Sequence, residues 1–171
     1  SPSYVLFDQY PIKSNFCEFG SYRIDLSLSE EDLFKNLNPK NRSRIRKSKR
    51  DGITVNFDRK QLRICFDIIN SSLKSQGLYF MSFDELNSLQ NSMDENFICS
   101  VSYKNNTPQS AALIFWNNLT GYYVYGGNTI GAYNGSMNIL QWETILLMKS
   151  LNVKYYDFVG ARLNAKKDSK L

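Results

Sequence analysis

Residues 21–28 (SYRIDLSL) place Tyr22, Ile24, Leu26 and Leu28 on alternate positions, the period of a half-buried strand. Ser29 follows as an N-cap, with Glu30, Glu31 and Asp32 where the positive end of a helix dipole favours anions, and predicts a helix to about Leu37. Asn38-Pro39 starts a second helix, Asn as cap and Pro at its first position, and Asp51-Gly52 ends it. Ile53–Phe57 (ITVNF) then alternates as a short strand. Leu62, Ile64, Cys65, Ile68, Ile69 and Leu73 recur at helical spacing and predict an amphipathic helix over 59–76, stopped by Gly77. Ser82 and Glu85 form a capping box for the next helix, which turns Leu86 and Leu89 inward.

After this the period changes. Phe97–Lys104, Gln109–Trp116 and Gly121–Gly127 read as strands, joined by Asn105-Asn106 and by the turn Asn117–Thr120, an antiparallel meander. A loop over 128–135 leads to a helix expected to be capped by Ser136 and to run to Ser150, with Trp142 on its apolar side. Lys154–Gly160 reads as a last strand. A strand, a helix and a strand in that order imply a parallel crossover, so the fold class is α/β with a mixed sheet.

The 171 residues suffice for one domain with a substantial core. Residues 1–20 show no clear period and read as a lead-in or the end of a preceding domain, leaving 21–171 as the domain itself. No basic start and apolar run marks a secretion signal, and no apolar stretch is long enough to span a bilayer. Cys17, Cys65 and Cys99 are odd in number and far apart, which favours free thiols in a reducing compartment; with no His in the chain, a metal site is not expected. These points predict a cytoplasmic, metal-free protein. The net charge of +5 is concentrated between Pro39 and Arg50, where seven cations occur without an acid. Such a block attracts phosphate, whether in nucleic acid, a nucleotide-linked substrate or an anionic lipid.

Two stretches carry a resemblance. In residues 24–55 (IDLSLSEEDLFKNLNPKNRSRIRKSKRDGITV), "IDL", a short acidic helix and an R-x-x-I-R-K helix precede a strand. In residues 122–161 (YYVYGGNTIGAYNGSMNILQWETILLMKSLNVKYYDFVGA), a Tyr-rich strand and Gly pair lead to a helix with a Trp-Glu pair and a closing "Y-D-F-x-G" strand. Both resemble the Fem-type peptidyltransferases, whose two domains have the fold of GNAT acyltransferases. The resemblance implies the second of those domains, and transfer of an amino acid from aminoacyl-tRNA to an amine of a cell-wall peptide precursor. Relatives of the same architecture acylate sugars or other amines from different donors, so acyl-CoA is the alternative co-substrate. The family's Phe-Lys segment after the closing strand is not found in Ala161–Leu171, which reads as a truncated domain completed by the remaining part of the same protein.

Candidate residues follow. On a helical period Arg42, Arg46 and Lys49 share a face with Arg50 beside it, either a phosphate-binding face or a solvated one paired to Glu30, Glu31 and Asp32. Asn128, Gly135 and Ser136 stand where CoA-using GNAT enzymes cradle pyrophosphate at a helix N-terminus, with Tyr133 in place of a small residue. Tyr123 and Tyr125 are expected on one face of their strand and Tyr122 on the other, one face being core and the other an acceptor groove. Glu143 is a candidate general base or an exposed residue. Asp157 positions the amine or makes a structural hydrogen bond. Without a nucleophile motif, direct attack of an amine on a bound ester or thioester is the simplest chemistry; a non-catalytic binding domain is the remaining reading. The transfer reading requires the strand from Gly121 and the strand ending at Gly160 to run parallel and then part, leaving backbone amides for a carbonyl.

Overall fold

A computed structural model describes residues 19–162. The elements are β1 (Phe19–Gly20), β2 (Arg23–Asp25), α1 (Glu30–Asn36), α2 (Pro39–Arg50), β3 (Thr54–Phe57), α3 (Leu62–Lys74), α4 (Phe83–Met93), β4 (Phe97–Lys104), β5 (Thr107–Trp116), β6 (Thr120–Asn128), α5 (Ser136–Ser150), β7 (Tyr155–Asp157) and β8 (Ala161–Arg162). Six strands form one sheet in the order β2-β7-β6-β5-β4-β3, and β1 pairs with β8 in a separate ribbon. All neighbours are antiparallel except β6 and β7, which are parallel. The expected meander and parallel crossover are both present. The lead-in over 1–20 lies almost wholly outside the described residues, as does the chain after 162.

The sheet is covered on both faces, which is why Ala111–Ile114 reads as a continuous apolar run. Toward α1, α2 and α5 point Ala112 and Ile114, packed with Ile45, Leu140, Trp142 and Ile145. Toward α3 and α4 point Ala111 and Leu113, packed with Cys65, Ile69, Phe80 and Leu86. Asn105 and Asn106 both take positive φ, 48° and 60°, as the tight β4–β5 hairpin requires. The caps at Ser29, Asn38 and Ser82 form as expected, the last a complete capping box.

Three local expectations change. The predicted 59–76 helix begins with a 3₁₀ turn, Arg59–Gln61, because Asp58 caps that turn through the Lys60 N–H. The first and last predicted strands shrink to Arg23–Asp25 and Tyr155–Asp157, since each finds a ladder partner over only those three residues. Ser136 is the first residue of α5 and not its cap, which is Gly135.

Helix α3 lies close over β6. A Cβ on Gly127 would meet Ser72 Cβ at 2.8 Å and the Ile68 and Ile69 backbone at 3.1 Å. Gly127→Ala is therefore expected to lower stability by about 1–3 kcal/mol. Urea unfolding would check this; an unchanged midpoint would mean that α3 stands further off.

Candidate functional site

The parallel ladder is short: Thr120 faces Tyr155, Gly121 faces Tyr156 and Tyr122 faces Asp157. There the strands part. The buried Asp157 carboxylate accepts the Val159 N–H at 2.8 Å and the Ser21 hydroxyl. Phe158 donates its N–H to the Tyr22 carbonyl at 3.0 Å, so the chain after β7 follows the N-terminal segment. Val159 and Gly160 both have positive φ, 42° and 79°, and turn the chain into β8. A β-branched residue in that region is strained, and the Asp157 hydrogen bond helps hold it. Strand β6 continues to Asn128 against β5 alone among the described residues. Its outer edge from Tyr123 onward carries backbone groups of the kind that pair with an extended ligand or a carbonyl.

The tyrosines divide differently from the expectation. The β5–β6 register jumps between Leu113–Tyr125 and Ile114–Tyr123, leaving Val124 as a bulge. The bulge reverses the alternation, so Tyr123 and Tyr125 lie on opposite faces. Tyr125 packs edge-on against Phe80, 4.9 Å away, on the α3 side. Tyr123 lies on the α5 side, its ring over Gly126 and 6.2 Å from Phe158. Tyr156 donates its hydroxyl to Gln141 Oε1 at 2.8 Å. Burial pushes the Tyr123 hydroxyl above its ordinary pKa, partly opposed by the Gln141 side chain, and holds Tyr156 well above it.

Beyond the fork, α5 begins over a cleft of about 520 Å³ lined by Arg44, Asn128, Thr129, Tyr133, Gly135 and Asn138 among others. Gly135 has φ 111°, and a Cβ there would come within 2.7 Å of the Ser48 hydroxyl. Only glycine permits both that backbone and that approach of α2. The Ser136 hydroxyl bonds to Ser110 at 2.6 Å, and Ser110 reaches Asn128 Oδ1 at 2.7 Å. Asn128 and Ser136 are thus tied together, as parts of one buried hydroxyl chain.

On helix α2, Arg42 is half-buried and Arg46, Lys49 and Arg50 are exposed, and the first three have partners within the protein. Arg42 donates to the carbonyls of Lys35 and Leu37 and so closes the end of α1. Arg46 stands 5.1 Å over the Phe34 ring, and Lys49 pairs with Glu143 at 2.8 Å. Glu143, half-buried and bound to that ammonium, belongs to the α2–α5 contact. Arg50 is exposed. The cations near the α5 cleft are others: Arg44 lines it, while Lys47 and Lys104 stand 5.9 and 4.2 Å over the Tyr133 ring. Tyr133 also donates to Asp51, which keeps the phenol above its ordinary pKa. Arg44 had a signal in the sequence: it sits four residues before Ser48, the small residue that lets α2 approach Gly135.

No family model and no curated protein sequence matches the chain. Solved structures do. FemX superposes with a TM-score of 0.80 at 13% identity, over 88% of this chain and 55% of that one. The chain has the FemX fold. It is the GNAT-like fold expected from the sequence. L-PGS from Bacillus licheniformis follows at a TM-score of 0.60 and 15% identity, over 88% of this chain and 47% of that one. The C-terminal domain of a putative lysylphosphatidylglycerol synthetase from Agrobacterium fabrum also gives 0.60, at 12% identity, over 84% and 47%. The chain spans about half the length of FemX and of both synthetase structures. Among the described residues no helix is long and apolar enough to cross a membrane.

Two outcomes test the fork. Asp157→Ala orphans the Val159 N–H and should cost about 1–3 kcal/mol, whereas Asp157→Asn keeps an acceptor and should cost about 1 kcal/mol, both read by denaturant unfolding. Equal losses would contradict the hydrogen-bond role. Tyr123 and Tyr156 have folded pKa values above the unfolded 10.0, so their neutral forms stabilise the fold fully below that pH. That contribution is lost as pH rises through the folded values. Unfolding midpoints should therefore hold up to about pH 10 and fall above it, and Tyr156→Phe should flatten the fall.

Proposed function

We propose that this chain is the catalytic-fold half of an aminoacyl transferase of Fem type, acting on an amine of a cell-wall peptide precursor with aminoacyl-tRNA as donor. The observation that carries the reading is the parallel β6–β7 pair that parts after Tyr122 and Asp157, within the FemX fold. An ester carbonyl laid against the outer edge of β6 meets preorganised backbone N–H groups of the kind that stabilise an oxyanion. The acceptor amine attacks that carbon, the C–N bond forms, and the C–O bond to the ribose breaks. The proton lost by the amine goes to the departing ribose oxygen. Among the described residues the thiols, Cys65 and Cys99, are buried, which supports direct transfer over a thioester intermediate at either of them.

In this reading Arg44, Lys47 and Lys104 receive phosphates at the α5 end, with Gly135 and Ser136 at the helix terminus. Arg42, Arg46 and Lys49 maintain the α1–α2–α5 packing, and Asp157 positions the fork. Such a reaction runs in the cytoplasm, where the donor is made, and uses the rest of the protein to complete the site. The cleft at the α5 N-terminus also favours a second reading, an acyl-CoA-dependent N-acyltransferase, because a pyrophosphate suits that position.

The test uses the full-length protein, aminoacyl-tRNA and a nucleotide-linked muropeptide. Transfer of the labelled amino acid is expected. Binding of tRNA should weaken steeply with salt, and Arg44→Ala/Lys47→Ala should lower the salt slope by about 2 without changing the unfolding midpoint. No RNA binding, together with thermal stabilisation by acyl-CoA, would overturn the Fem-type reading in favour of the second.

A further inference from the structure

Between α2, α5 and Phe158 lies a half-open hollow of about 190 Å³. The buried Ile45, Trp142 and Ile145 line it together with the half-buried Phe158. Its rim is polar and sits at one end: Asn138 donates to Asn41 at 3.2 Å across the two helices, and Gln141 lies beside them. The space is larger than the roughly 150 Å³ apolar cavity that takes up benzene, so it suits a group of that size.

Its position links it to the fork. Phe158, the residue at which the chain leaves β6, forms one wall and stacks edge-on with Tyr123 at 6.2 Å and Tyr156 at 5.3 Å. Gln141 accepts the Tyr156 hydroxyl through Oε1. Its amide nitrogen reaches Met137 Sδ at 3.9 Å, a weak acceptor, and the same side chain interacts with the Tyr123 hydroxyl; a carbonyl entering the space competes with these two for the amide. An apolar chamber with an amide donor at its rim, one residue from the parting strands, matches a ligand that is apolar at one end and carries a carbonyl at the other.

We propose that this space is a selectivity pocket for the apolar substituent of the transferred group, an aliphatic or aromatic side chain about the size of leucine's or a benzene ring, with the Gln141 amide directed at the carbonyl end. The proposal rests on the acyl-transfer reading for its role, but not for the binding itself. The pocket prefers donors that fill it, because unfilled apolar surface gains nothing from transfer out of water. Glycyl and seryl groups leave it empty.

Methyl-labelled full-length protein titrated with benzene, and separately with leucine methyl ester, provides the test by NMR. Saturable shifts at Ile45, Ile145 and Met137 are expected for both probes, with none for glycine methyl ester. Ile145→Phe should fill the space and abolish the shifts while keeping a cooperative thermal transition. If that variant does not fold, Met137→Phe narrows the rim and should weaken binding at least tenfold. Shifts that are absent, or that persist unchanged in a folded filled variant, would overturn the pocket. In the transfer assay the filled variant should lose at least tenfold in kcat/KM for leucyl donors and retain glycyl transfer. Wild-type protein that binds benzene at these methyls yet transfers nothing would refute the acyl-transfer reading and leave the pocket standing.

Discussion

The Asp157 carboxylate accepts the Val159 N–H and the Ser21 hydroxyl, and those two contacts set where β7 stops following β6. Without them Val159 has little reason to hold a positive φ, and the straight continuation of a parallel strand would pair along β6 and close its edge. The turn sends Phe158 toward Tyr22 and, at the same time, presents its ring to Tyr123 and Tyr156. One buried acid thus opens the edge, aims an aromatic wall and ties the last strand to the N-terminal segment. The polar bonds at Asp157 have a large effect because the residue is only 7% exposed, where an orphaned partner is costly.

The second constraint is the fit of α2 against α5. Ser48 and Gly135 are small where the helices approach, and Arg42, Arg46 and Lys49 are each held by a carbonyl, a ring or a carboxylate. The cations on the α1 and α5 sides of α2 thus have partners within the protein while Arg46 and Lys49 stay exposed. Those on its remaining side, Arg44 and Lys47, border the cleft at the α5 terminus and the Tyr133 ring. A single helix in this way supplies both cross-helix contacts and the electropositive rim.

Much of this was legible in the sequence. Alternation located β3, apolar runs between short polar turns located β4 to β6, the caps at Ser29, Asn38 and Ser82 located their helices, and the strand–helix–strand order implied the parallel crossover. What stayed hidden depended on the backbone departing from a regular period. The Val124 bulge placed Tyr123 and Tyr125 on opposite faces, which strict alternation could not foresee. Gly135 took the cap position from Ser136 because close approach of Ser48 leaves no room for a side chain there. The partners of Arg42 and Lys49 come from α1 and α5, and a helical wheel of α2 alone contains neither.

The central claim is that β6 has an open outer edge beyond Tyr122 that can receive a carbonyl. Amide hydrogen exchange on the full-length protein, with and without an adenosine 3′-aminoacyl amide, tests it most directly. The account predicts protected amides through β4, β5 and the β6–β7 ladder, rapid exchange for the outward amides between Tyr123 and Asn128, and slowing of those amides when the analogue binds. Uniform protection along β6 in the free protein, or no response of that edge to the analogue, would contradict it.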